Sequence, residues 1–492
     1  MTDAVAVLVV AAPLAPALVA VAVLLCRSAR AADRVGHWGG LAAALPAAAL
    51  GALALARAGE DPATGGWWRI DAPGGVFLAT IAAVGAVAAA TSPGWLRGAR
   101  SSRGGALRVR RLYWGALHLF WAALVAVPIV DDLAVAWVLI EATTAASALL
   151  VAVSGTRRAI EAGWKYLVLT TLGLAVALFG IVVLSAAAGE GAALSSLGWA
   201  ELEGAAPRLD GDAALAAFVL IVAGLAAKAG WAPVHNWLPD AHGEAPPPVS
   251  ALLSAALLPT VALVAWRLSI ALEPALGPRP AQALFVGLGL VSLAVAVPFL
   301  WRPLPWKRLL AYSSLEHMGV IALAIGIGHP LATAGALLHV AGHGVAKSLG
   351  FAVAVPLLRY QPAAGRRPAR GLAELDGRVA GAAGVSLAAL AGMPPSPLFV
   401  SEVLVLAGGF AAGLAWASAV AAVLLALGFL GMAHALLEGL GGRPTGRRPS
   451  GPRATRAIAG LTALAVAALL ALAAVAHTLP GSALAEAMGG GA

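Results

Sequence analysis

The 492-residue chain is 61% hydrophobic and 11% charged, with a formal net charge of +9. Soluble domains carry roughly 45–50% apolar and about 25% charged residues, so a soluble multidomain enzyme is excluded and a lipid environment is implied. The basic residues stand in short segments between apolar runs, without a basic-aromatic face, which excludes a nucleic-acid binder. A single cysteine, Cys26, supports neither a disulfide framework nor an iron–sulfur centre, so no redox cofactor is expected on the chain's own thiols.

A membrane-crossing helix needs about 20 mostly apolar residues. On that rule the expected fold is an all-α polytopic membrane protein of about fourteen helices. In chain order they lie near 4–25, 36–56, 72–91, 111–130, 133–153, 162–187, 213–231, 246–272, 282–301, 307–327, 330–358, 379–408, 412–437 and 455–477. The first run lacks a basic start, and Arg27 and Arg30 follow it, so it reads as a retained helix rather than a signal peptide. Loops after odd-numbered helices hold 24 of the 32 Lys and Arg residues. Loops after even-numbered helices hold five: Arg57, Arg69, Arg208, Arg267 and Arg279. That bias puts the odd loops in the cytoplasm and both termini on the outer side of a bacterial inner membrane.

Six charged residues remain within spans: Lys165, Lys228, Lys347, Glu141, Glu316 and Glu402. Each costs about 2.5–3.5 kcal/mol at the bilayer centre, so a function is the expected reason for keeping them. Glu316 and Lys347 stand near loop signals, and snorkelling to the interface is their competing reading. Glu141 and Lys228 are flanked by apolar residues and read as members of an ionisable relay. His339, His343 and Lys347 share one helix face at i, i+4 and i+8. Neutral imidazoles both donate and accept, so they can pass protons. Zinc is the rival for this face, but HxxxH lacks the Glu of HExxH and its next neighbour is a cation, so no metal ligand set is expected. Packing histidines are the plain alternative. GHGVAKS departs from a phosphate loop at Ala346, so no nucleotide is expected.

Two spans carry matching interruptions, AGWAPVHNWLPD (Ala229 to Asp240) and AGMPPSPLFVSE (Ala391 to Glu402). Both begin A-G-x-x-P, in corresponding helices of two five-helix stretches. The expected organisation is therefore helices one to three in 1–110, a first repeat in 111–272, an inverted second repeat in 282–437, and a last helix in 455–477. Discontinuous helices seven and twelve would then mark the ion path.

At these residues the sequence resembles a known family. KAGWAPVHNWLPDAHGEAPPPVSALLSAALL (Lys228 to Leu258), KRLLAYSSLEHMG (Lys307 to Gly319) and HVAGHGVAKSLGF (His339 to Phe351) resemble the antiporter-like subunits of complex I, Mrp antiporters and membrane-bound hydrogenases. WVLIEATTAASALLV, EAGWKYLVLTTLGLAVALFG and LLAYSSLEHMG are most similar to the F component of hydrogenase 4, the formate hydrogenlyase-type complex. The resemblance implies a Glu–Lys pair at Glu141 and Lys228 with Lys165 nearby, a central axis of His339, His343 and Lys347, and an exit residue at Glu402. It also implies other membrane subunits and peripheral redox subunits as partners, the chain itself being a proton-moving rather than a catalytic component. Rival readings are an Mrp-type cation/proton antiporter subunit, a proton-coupled partner of inorganic-carbon uptake, and a scaffold with dead channels. The sequence departs from the family at helix eight, where Ser254 and Pro259 stand in place of a His or Lys, and in lacking a long lateral C-terminal helix.

Overall fold

The computed structural model describes residues 2–98, 105–187, 196–443 and 453–478. Arg100, Arg103, Arg447 and Arg448, which enter the loop-charge count, lie outside these residues. Four helices open the chain, α1 (Thr2–Leu25), α2 (Ala29–Ala56), α3 (Ala72–Leu96) and α4 (Ala106–Ala126). Then come α5 (Leu133–Ala152), α6 (Arg157–Ala186), short α7 (Trp199–Ala205), α8 (Gly211–Ala229), short α9 (Leu238–Glu244) and α10 (Pro247–Ala251). The second half holds α11 (Leu258–Leu276), α12 (Pro278–Leu300), α13 (Trp306–Ile327), α14 (Pro330–Tyr360), the single turn α15 (Leu372–Leu375) and α16 (Gly377–Leu390). Last are α17 (Pro397–Ala411), α18 (Ala415–Leu440) and α19 (Arg453–Thr478).

The chain is an all-α polytopic membrane protein. Among the described residues twelve helices are long and apolar enough to cross a membrane, α10 and α11 counting as one. The sequence reading of fourteen adds α4, whose first two turns carry Arg108, Arg110 and Arg111, and the broken pair α16–α17. The span expected at 246–272 is not a uniform helix. Residues Leu252–Leu257 between α10 and α11 widen into a π-turn. Pro259, just beyond it, has no N–H for the helical ladder, and the wider register takes up that missing donor.

Burial sorts the helices. α10–α11, α13 and α14 are inward on nearly every side, whereas α1, α6 and α18 keep exposed apolar residues such as Val7, Leu172 and Val423. An apolar outer surface is what lipid requires, so the polar groups of the central helices mark the inside of the bundle.

One element lies outside an all-helical reading. Ala63–Gly65 and Trp68–Ile70 pair as a small antiparallel ribbon, β1 and β2, and Trp68 bridges to Val130. The ribbon delivers Asp71, which caps α3 by accepting from the Gly74 amide at 2.7 Å. Asp71 also binds Arg267 Nη2 at 3.0 Å and lies 3.4 Å from Arg69 Nε. Burial alone would raise the Asp71 carboxyl, but Arg267, the Gly74 amide and Arg69 together hold it below the ordinary carboxylate range. Arg267 is a correction to the loop count: it lies within α11, 8% exposed, and also donates to Pro128 O at 3.0 Å. The clamp ties the N-terminal helices to α11.

Candidate functional site

The two breaks expected from A-G-x-x-P have one backbone design. α8 ends at Gly230 with φ +72°, and α16 is followed by Gly392 with φ +71°. This left-handed conformation suits glycine, which has no Cβ to clash. After it, Trp231 N–H donates to Ala226 O at 3.1 Å and Met393 N–H donates to Ala388 O at 3.0 Å. A further turn follows in each, Val234 N–H to Trp231 O and Ser396 N–H to Met393 O. Every partner in one break is 162 positions from its counterpart in the other.

Lys228 stands two residues before Gly230 at the first break, fully buried. Its Nζ donates to Thr144 Oγ1 at 2.7 Å and to the Tyr166 hydroxyl. Ser147 Oγ donates to Thr143 O, so Tyr166 donates in turn to Ser147 at 2.8 Å. Glu141, half-buried, accepts from Thr171 at 2.9 Å and from Thr144 at 3.3 Å. Thr144 therefore stands between the acid and the amine of the expected pair. Tyr166 packs on Trp237 (4.7 Å between ring centroids), Trp237 on His242 (6.3 Å) and His242 on Phe351 of α14 (5.8 Å). This run leads from the Lys228 pocket to the helix that carries Lys347.

Lys165 is not part of that pocket. It is exposed on α6 and pairs with Glu161 at 2.8 Å and Asp240 at 3.4 Å, while Arg308 also binds Asp240.

The second group lies between α13, α14 and α17. Lys347 is fully buried and donates to Leu310 O and Ser313 Oγ. Glu316 is also buried, in the space left by Gly428, where a Cβ would meet its carboxylate. Neither reaches the surface, so interfacial snorkelling does not describe them. His339 Nε2 lies 3.0 Å from His317 Nδ1, and His339 Nδ1 lies 2.8 Å from Ser401 Oγ. The His343 ring sits 5.1 Å from His317 and 6.5 Å from His339, centroid to centroid. Both His343 nitrogens and Glu316 Oε2 are buried without hydrogen-bond partners, while His317 Nε2 is buried near the Leu390 carbonyl. Glu402 is half-buried on α17 against Gly392 at the second break.

At helix eight, Ser254 Oγ lies 2.7 Å from Ser314 Oγ. Ser314 donates to Leu310 O, the carbonyl that also accepts from Lys347. A pair of hydroxyls thus occupies the position where the sequence lacks a His or Lys. Tyr166, Thr144, Ser147, His242 and His317 were not singled out in the sequence. His317 alone had a signal, an imidazole beside Glu316 in an apolar span.

The apolar exterior, the charged interior and the paired helix breaks define a class: multi-pass membrane proteins with ionisable groups buried inside the bundle. Residues 130–428 match the family model described as NADH:quinone oxidoreductase/Mrp antiporter, TM, and the chain belongs to that family. The chain is 36% identical over 285 residues to the hydrogenase-4 component F homolog of Methylacidiphilum infernorum, covering 57% of this chain and 60% of that protein. It is 32% identical over 337 residues to NADH-quinone oxidoreductase subunit N of Desulforudis audaxviator, covering 64% and 63% respectively. The chain thus spans about half to two thirds of the curated relatives it matches. Its fold is similar to that of a chain in the Mrp complex from Dietzia sp. DQ12-45-1b, with TM-score 0.82, 20% identity, and 99% and 97% of the two chains covered. A chain of respiratory complex I from Thermus thermophilus is similar at TM-score 0.78 and 23% identity, with 98% and 100% covered.

Proposed function

We propose that this antiporter-like subunit moves protons across a bacterial inner membrane within a redox-driven complex of hydrogenase-4 or complex I type. The observation that carries the reading is Lys228, an amine sealed in protein and joined to Glu141 through one threonine hydroxyl. A relay needs such groups, since a buried amine gains or loses its proton according to how near a carboxylate stands. The relay runs through Glu141, Lys228, Lys347, His339, His343 and Glu402, with Glu316 as a further member and Tyr166, His242 and His317 between them. Lys165 acts at the surface, positioning α6 against α9 and α13. The two breaks of one design support a first repeat in 111–272 and an inverted one in 282–437. The loop charges support termini on the outer side.

The relatives named for hydrogenase 4 and NADH-quinone oxidoreductase favour a redox-driven complex, whose other membrane and peripheral subunits supply the energy. Moving one charge against 100 mV needs about 2.3 kcal/mol, comparable to a pKa swing of roughly two units. Lys228→Ala in the assembled complex, reconstituted in vesicles, is expected to stop proton translocation while subunit composition stays unchanged. Normal translocation by that variant would reject the role.

A further inference from the structure

His317, His339 and Glu402 come from three elements, α13, α14 and α17, and each offers a ligand atom within 4.8 Å of the others. Hydrogen bonding fixes the rings. Ser401 Oγ donates to Leu398 O at 2.7 Å, so it accepts from His339 Nδ1–H. His339 Nε2 therefore carries a lone pair and accepts from His317 Nδ1–H. In a neutral ring the second lone pair of this set falls on His317 Nε2, which is buried with the Leu390 carbonyl close by, an acceptor for a proton placed there. At the second helix break, against which Glu402 rests, Met393, Pro394 and Pro395 are exposed.

We propose that these three side chains bind a divalent cation of the zinc class, and that the cation excludes the relay proton from the same two nitrogens. Two imidazoles and one carboxylate form a donor set that zinc accepts, with a fourth position left for water. The cation takes the place of the hydrogen between His317 Nδ1 and His339 Nε2. The displaced proton moves to His317 Nε2, so neither ring changes its net charge. His339 keeps its Nδ1–H on Ser401, the kind of outer hydrogen bond that holds a ligand ring in place. Glu402 offsets part of the added charge. The site differs from the one weighed on sequence grounds: His343 and Lys347, neighbours of His339 on α14, take no part. Exclusion of the proton rests on the relay reading; binding does not.

The test uses untagged full-length chain in detergent, stripped with chelator and titrated with ZnCl2 by calorimetry and with CoCl2 by visible absorption. One cation per chain is expected, with intense tetrahedral cobalt bands. His317→Gln and Glu402→Gln should each weaken binding at least about tenfold, Ser401→Ala about tenfold, and His343→Gln should leave affinity unchanged. Gel filtration confirms that each variant is folded. No stoichiometric binding by the native chain, or native affinity in both His317→Gln and Glu402→Gln, overturns the site. In vesicles holding the assembled complex, zinc should slow proton movement. Binding without slowing overturns the exclusion, whereas vesicles that never translocate reject the relay and leave the binding result standing.

Discussion

The Lys228 pocket and the histidine group differ in how completely their hydrogen bonds are used. Around Lys228 each polar side chain is joined to the next: Nζ to Thr144 and Tyr166, Tyr166 to Ser147, Ser147 to a carbonyl. In the histidine group both nitrogens of His343 are buried with nothing to bind. A satisfied network holds one arrangement, while open acceptors in a dry interior leave room for a proton to arrive. On the proposed relay the first half would act as a latch and the second as a conduit, placed in one bundle by helices that break in the same way.

The sharpest way to break the comparison is Lys347→Ala. If latch and conduit act in series, proton translocation falls by about 100-fold or more, as for Lys228→Ala; retained pumping would show that the halves work separately. Asp71→Asn probes the fold apart from either half. It leaves Arg267 buried without its carboxylate and should cost about 3 kcal/mol, seen as a lower midpoint in thermal unfolding in detergent. Because Asp71 is held below the ordinary carboxylate range, its contribution is present above the unfolded value of about 3.9 and is lost as pH falls through the folded one. The native chain should therefore lose stability on strong acidification, and the variant should show less of that loss. Tyr166→Phe removes one hydroxyl from the latch and should slow translocation about tenfold while the complex still assembles. Lys165→Ala should leave translocation unchanged, since Lys165 is exposed and paired at the surface. A large loss there would move the working site outward.

The sequence made the spans, the two breaks and the buried amines legible, because apolar length, A-G-x-x-P and a charge among leucines are strong local signals. What it hid were the hydroxyls and rings that connect them. Thr144, Ser147 and Tyr166 are ordinary residues in a membrane helix, and only the approach of α5, α6 and α8 gives them a role. Lys165 shows the opposite error: hydropathy counted it inside, although Glu161 four residues earlier already formed a surface i,i+4 pair. The ribbon that carries Asp71 was too short to stand out between apolar runs, and its partner Arg267 was counted among the loop charges although the span read at 246–272 already contained it.

Between Ala391 and Leu398 the main chain offers no free donor. The amides of Ala391, Gly392, Met393 and Ser396 bind carbonyls, that of Leu398 binds the Ser396 side chain, and Pro394, Pro395 and Pro397 have none. A kink built from prolines and spent amides can only accept, so whatever rests against it must bring hydrogen or positive charge. In the proposed relay such a kink would favour a cation over an anion through its backbone alone.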